Sequence, residues 1–303
     1  MILKMAPFDI KHYLKEKRIL IDKFLKTYFE NHIKPSVLHD AMKYSIFAGG
    51  KRIRPILAFA SYEIGGGDST EILPQATALE LIHTYSLIHD DLPAMDNDEL
   101  RRGKPTNHRV FGEAIAILAG DALLTEAFFM ITNKAHHVKR FRPSCLMNIT
   151  REIAFAAGAY GMVGGQAQDI ISDSSESDMN TVQFIHYHKT AALIRASVRV
   201  GALLAGIRGN ELKSLTKYGN NIGLAFQIID DILDIEGETA ELGKSAGSDI
   251  KKNKMTYPSL IGIEESRKKA QEMIDGAIDS ISTFSYNANP LREIARYLLK
   301  RRA

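Results

Sequence analysis

The 303-residue chain is 45% hydrophobic and 25% charged, so it can bury a substantial core in one large domain or two average ones. Its net charge of +3 comes from basic residues in several short groups, which disfavours sequence-independent nucleic-acid binding and suits small anionic substrates. Cys145 is the single cysteine, which excludes an intrachain disulfide and a cysteine-based zinc site and makes a reducing cytoplasm the expected compartment.

Apolar residues recur at three- and four-residue spacing and strand-like alternation is scarce. This predicts helices over 9–30, 35–48, 55–65, 71–92, 111–133, 144–164, 180–206, 211–236 and 255–280. Pro35, Pro55 and Pro258 suit first turns of helices, and Gly49-Gly50 suits a helix exit. Segments 114–124 and 191–204 are apolar nearly all the way round and are expected to be central helices surrounded by others. Gly158, Gly161 and Gly165 suit close helix packing, and the polar, aperiodic stretch 172–180 reads as an exposed loop. No uninterrupted apolar run approaches the ~18 residues of a membrane span. Met1-Ile2-Leu3-Lys4 lacks the hydrophobic region of a secretory signal. With no long linker and no solenoid repeat, the expectation is an all-α fold, a single large helical domain over 1–303.

Two acidic motifs stand out. The first is Asp90-Asp91-Leu92-Pro93-Ala94-Met95-Asp96, and the second is Asp230-Asp231-Ile232-Leu233-Asp234 inside an apolar run. On a helical wheel Gln227, Asp230, Asp231 and Asp234 fall within about a 100° arc. In the first motif six residues rotate Asp96 about 240° from Asp90. The helix is therefore expected to end near Pro93, letting the chain bring Asp96 back. Carboxylates about 5 Å apart repel by roughly 3 kcal/mol at an effective dielectric near 20. Divalent cations relieve that repulsion, and oxygen-only ligands favour magnesium or manganese over zinc. Magnesium shares its coordination with substrate phosphates, so paired acidic motifs suggest a diphosphate clamp.

Basic groups flank these motifs. Lys51, Arg52 and Arg54 precede a predicted helix, whose N-terminus favours phosphate. His83 lies seven residues before Asp90, nearly on its helical face. Arg101-Arg102 follow in a Gly/Pro-containing loop, Lys189-Thr190 open another apolar helix, and Lys244 and Lys254 flank the loop after the second motif. Three patterns are rejected. The near phosphate loop at 237–245 has five residues between its glycines and follows a helix where a strand is required. Glu80-Leu81-Ile82-His83 has no matched second copy for a di-iron bundle, and His186-Tyr187-His188 has no third metal ligand.

Taken together, residues 49–55, 83–102, 189–190, 226–234 and 243–258 closely resemble the trans-prenyl diphosphate synthases, with a particularly close match to the bacterial farnesyl diphosphate synthase group. The long first motif, with four residues before its last Asp, is characteristic of that group, and Asn97 interrupts what can be a longer Asp run. The resemblance implies helices around a deep central cavity, commonly in a homodimer. It implies three magnesium ions, replaceable by manganese, on Asp90, Asp96 and Asp230 with Asp91 and Asp234 in support, and it counts Asp231 and Lys189 among the catalytic residues. It assigns Lys51, Arg54, His83 and Arg102 to isopentenyl diphosphate, and Arg101, Lys189, Thr190, Gln227, Lys244 and Lys254 to the allylic diphosphate. It further implies that Tyr85, with Ser86 beside it, forms the floor that stops the chain at fifteen carbons. Alternatives are a twenty-carbon product, a class I terpene cyclase, a non-catalytic regulatory homologue and a magnesium-dependent nucleic-acid enzyme.

Overall fold

A computed structural model describes residues 8–31, 34–172, 178–236 and 254–300. Its helices in chain order are α1 (Ile10–Tyr28), α2 (Ser36–Ile46), α3 (Ile53–Glu63) and α4 (Leu73–Asp90). A two-strand hairpin follows, β1 (Leu100–Arg101) with β2 (Lys104–Pro105), then α5 (Asn107–Phe111), α6 (Glu113–Thr132), α7 (Pro143–Ala157), α8 (Met162–Ile171) and α9 (Met179–Ile185). A π-helical segment (His186–Ala191) leads into α10 (Ala192–Leu204) and α11 (Gly209–Glu236). The chain continues through α12 (Tyr257–Ile261), α13 (Ile263–Ser280) and α14 (Asn289–Leu299). The all-α expectation holds.

Packing follows the apolar faces. Helix α10 lies between α3, α7 and α11, α4 runs along α6, and α11 runs along α13. Eleven of the 13 residues of α10 are buried, as expected for a central helix. Helix α6 is different: only seven of its 20 residues are buried, and Ile117, Leu118 and Phe129 are exposed. Its all-round apolar sequence therefore did not mean a central position. Among the described residues it is also the one helix long and apolar enough to cross a membrane by length and composition. Its Ala116, Ala119 and Leu123 are nevertheless fully buried in the common core.

Glycine decides several boundaries that periodicity missed. The segment read as one helix over 144–164 stops at Ala157 and restarts at Met162, with Gly158 and Gly161 at the two edges of the break. Gly165 does serve close packing, because a Cβ there would sit 2.2 Å from the backbone nitrogen of Lys189. The segment 255–280 is split by Gly262, whose φ of 80° side chains rarely adopt. Of the expected loop at 172–180, residues 173–177 lie outside the described ones, and Asp178 caps α9 by accepting from the Thr181 N–H. Helix α14 was not anticipated, although Leu291, Ile294, Ala295 and Leu298 carry the buried spacing of an amphipathic helix.

Candidate active site

The basic segment after α2 is sorted by backbone conformation. Gly49 and Gly50 have φ of 103° and 134°, and Arg52 follows at φ 53°. From there the Arg52 side chain turns inward and donates to Asp22 at 2.9 Å, Glu80 at 2.8 Å and the Ile46 carbonyl at 2.7 Å. Glu80, half of the rejected di-iron pattern, is thus the buried partner of Arg52. Lys51 and Arg54, like Arg52 and Glu80, line a cavity of about 1110 Å³. Burial lowers Arg54 to about 10, against the opposing pull of Glu80 and Asp230. His83, one turn on from Glu80, is held well below its ordinary range by burial and then by Arg54, Arg102 and Arg101. Its imidazole is therefore neutral.

The first acidic motif folds back as the sequence suggested. Helix α4 ends at Asp90, and the Asp96 N–H donates to the Asp90 carbonyl at 2.8 Å while Met95 and Asn97 both donate to the Leu92 carbonyl. Asp90 and Asp96 therefore reach the same cavity, whereas Asp91 points off it. Burial pushes Asp90 up to about 6; Lys189 and Arg101 oppose that rise, and Asp96 and Asp91 add to it. The loop expected around Arg101-Arg102 is the β1–β2 hairpin. Arg102 and Gly103, at φ 53° and 73°, give its turn the paired positive φ that matches strand twist. The hairpin aims Arg101 at Asp91, with Nε 2.7 Å from Oδ1, and at Asp98, with Nη2 3.5 Å away. Arg102 donates to the Gly49 carbonyl, lying over Gly50 where a Cβ would fall 2.8 Å from its Nη1.

The second motif faces the first from α11. Asp230 and Asp231 line the cavity; Asp234 is 1% exposed and does not. The single polar stripe drawn on the helical wheel is thus divided in space. Asp231 is a node: it accepts from Gln227 at 2.9 Å and from the Tyr257 N–H at 3.3 Å, and His186 Nε2 lies 3.3 Å away. Burial lowers His186 to about 3, so this imidazole is neutral, and its Nε2 lies 3.3 Å from Asp231. Gln227 in turn accepts from Thr190 at 2.6 Å. Gly223, where a Cβ would sit 2.5 Å from Ala191, brings α11 close enough to the π-helical segment for this chain of contacts. Such a segment widens the helix locally and is frequent at functional sites. Here it carries His186, Lys189 and Thr190.

Two further cations meet carboxylates across the cavity. Lys254 donates to Asp96 at 3.0 Å, and Lys189 donates to Asp169 on α8 at 2.6 Å. Asp169 was missed by sequence reasoning; its signal was an acidic residue on the short apolar α8. Lys244 lies outside the described residues. Tyr85, 6% exposed, and Ser86 both line the cavity, and burial followed by Asp90 pushes the Tyr85 phenol up to about 12. Every other sequence-predicted site residue except Asp91 and Asp234 lines the same cavity.

The donor set suits magnesium. Asp90, Asp96 and Asp230 offer only oxygen, and Asp90 bears an unfavourable buried charge that a cation would relieve. Among the described residues no three His, Cys, Asp or Glu converge into a closed cation cage.

Comparison with known proteins agrees. Residues 35–286 match the family model described as polyprenyl synthetase. A geranylgeranyl diphosphate synthase from Cyanophora paradoxa is 46% identical over 97% of both chains. A farnesyl diphosphate synthase from Geobacillus stearothermophilus is also 46% identical, over 90% of this chain and 91% of its own. The solved structure of a geranyltransferase from Legionella pneumophila superposes with a TM-score of 0.85 at 32% identity, covering 96% of this chain and 97% of that one. With two aspartate motifs facing each other across a cation-lined cavity in an all-α fold, the chain belongs to the polyprenyl synthetase family and is a trans-prenyl diphosphate synthase, a prenyltransferase of a family that binds diphosphate through Mg²⁺.

Proposed function

We propose that this enzyme condenses isopentenyl diphosphate with dimethylallyl and then geranyl diphosphate, releasing farnesyl diphosphate. The observation that carries the product assignment is Tyr85, a buried aromatic in the cavity wall five residues before Asp90. Burying each added CH₂ contributes roughly 0.8 kcal/mol, so elongation continues until sterics oppose it. A phenol ring supplies that opposition. The name of the Cyanophora relative favours a twenty-carbon product as the second reading. Incubation with dimethylallyl and labelled isopentenyl diphosphates, followed by chromatography, decides between them. Fifteen carbons from the parent enzyme and twenty or more from Tyr85→Ala are expected; a twenty-carbon parent product, or an unchanged limit in an active variant, refutes the assignment.

In this reading Asp90, Asp96 and Asp230 hold the magnesium ions, three in number and replaceable by manganese, with Asp91, Asp231 and Asp234 in support. When bound, the ions stabilise diphosphate as a leaving group. Lys189, Arg101, Lys244 and Lys254 bind the allylic diphosphate and share its growing charge. The short contacts Lys189–Asp169 and Lys254–Asp96 are then exchanged for contacts to phosphate. Thr190 and Gln227 turn oxygen dipoles towards the allylic carbons. Lys51, Arg54, His83 and Arg102 orient isopentenyl diphosphate, so that its alkene attacks before water does. A proton then leaves, with the departed diphosphate as acceptor.

The full chain is read as one domain, working as a homodimer in the cytoplasm. A second copy would cover apolar residues such as Leu118 and Phe129 of α6 and Met147 and Phe155 of α7, which are exposed in one chain. The single Cys145 suits a reducing compartment.

A further inference from the structure

Beneath the cavity wall lies a contact that the catalytic reading leaves unused. His89 follows Tyr85 by one helical turn, and the two rings meet edge to face with centroids 5.7 Å apart and planes at 78°. Both side chains line the cavity. The imidazole also crosses to α6, where its Nε2 is 3.0 Å from the Ile117 carbonyl and 3.9 Å from Asp121. Space for the crossing comes from Gly120, where a Cβ would fall 2.1 Å from Nε2 and 2.5 Å from Cδ2. His89 is thus clamped on three sides, by Tyr85 on its own helix and by Ile117 and Gly120 on the neighbouring one.

We propose that His89, seated over Gly120 and tied to the Ile117 carbonyl, is a positioning residue that fixes the Tyr85 ring and so sharpens the limit on product length. A longer chain must turn or displace the Tyr85 ring. An imidazole held by α6 resists that displacement, whereas the same ring on an unpacked helix face would move with it. His89 neighbours Asp90 in sequence, yet its ring is committed to α6 and to Tyr85 and not to the opposing carboxylates. The inference rests on the reading of Tyr85 as the floor, and it adds that the floor is only as firm as its support.

The test measures the ratio of the next-longer product to the main product, a quantity that loss of general stability does not shift by itself. Parent, Tyr85→Ala, His89→Ala, the double variant and Gly120→Ala are each given dimethylallyl and labelled isopentenyl diphosphates. Removing an edge-to-face partner should raise the ratio in His89→Ala by about 2- to 10-fold. The same change should add nothing in the Tyr85→Ala background, since His89 acts through that ring. Gly120→Ala reaches the imidazole from α6 without deleting it and should also change the ratio, which keeps the proposal testable if His89→Ala folds poorly. An unchanged ratio in both His89→Ala and Gly120→Ala, with a longer product from Tyr85→Ala, overturns the role of His89 alone. If Tyr85→Ala also leaves the ratio unchanged, the floor itself is refuted.

Discussion

The first aspartate motif lies where α4 stops and the chain turns back, whereas the second lies inside the 28-residue α11. In the first, the turn returns Asp96 to the cavity beside Asp90, and the basic side chains nearby come from a hairpin and from Lys254. In the second, helical geometry fixes the side chains and brings Asp230 and Asp231 to the cavity. Asp231 bridges α11 to the π-helical segment and α12, and Asp234 is buried away from the cavity. Two motifs that look alike in sequence therefore do different work. The first brings Asp90 and Asp96 together through a turn, and the second ties Asp231 to His186 and Tyr257 while Asp230 lines the cavity.

The largest effect expected from this contrast is at Asp90 and Asp230. Alanine at either should reduce turnover by at least ~10²-fold with the fold intact by circular dichroism, since in the proposed mechanism each acts in the transition state through metal. Asp234→Asn should retain roughly tenfold more activity than Asp230→Ala, but melt at lower temperature. Equal catalytic loss at Asp230 and Asp234 would erase the distinction within the second motif.

Next come the two phosphate sites proposed for the cavity. Arg54→Ala or His83→Ala should raise KM for isopentenyl diphosphate by about 10- to 100-fold, and Lys189→Ala should do the same for the allylic substrate. Steady-state kinetics with each substrate varied separately are the check. The same damage to both substrates in every variant would argue for one shared site.

A smaller effect belongs to the joint at Asp231. His186→Ala should destabilise the protein to urea by about 1.5–3 kcal/mol, the range for a hydrogen bond to a charged group. His186→Gln, which keeps an N–H donor at similar reach, should recover most of that loss. If glutamine rescues nothing, the contact with Asp231 is not what His186 provides.

The smallest concerns Asp90 as a buried charge. Its folded-state value near 6 exceeds the ordinary 3.8, so ionisation opposes folding. Stability linked to this group is full below the ordinary value and is lost as pH rises through about 6. In metal-free buffer Asp90→Asn should therefore melt above the parent at pH near 7.5, with the gap closing towards pH 4. A gap that persists unchanged at the lower pH would mean that its origin is not the ionised carboxylate.

Much of this was legible in the chain itself. Helices followed from three- and four-residue apolar spacing, and the return of Asp96 followed from the 240° rotation together with Pro93. The cations near the acidic motifs were visible as residue types. Spacing along one helix, however, cannot say which face meets a cavity. Asp230, Asp231 and Asp234 share an arc of α11, yet Asp230 and Asp231 line the cavity, Asp231 also bridging to His186 and Tyr257, while Asp234 is buried away from it. Arg52 sits between Lys51 and Arg54 in sequence, but its positive φ sends it into a buried pair with Glu80.

Hydrophobicity is likewise local information. Segments 114–124 and 191–204 both read as apolar nearly all round, yet α10 is central while α6 is left half open. The sequence alone determined the fold class, the presence of two oxygen-rich motifs and the residue types able to bind diphosphate, because these depend on periodicity and side-chain chemistry within short windows. Tertiary structure decided the pairing of Lys189 with Asp169, the His186–Asp231–Tyr257 joint and the seat of His89 over Gly120, because each brings together residues from different elements through close backbone approach.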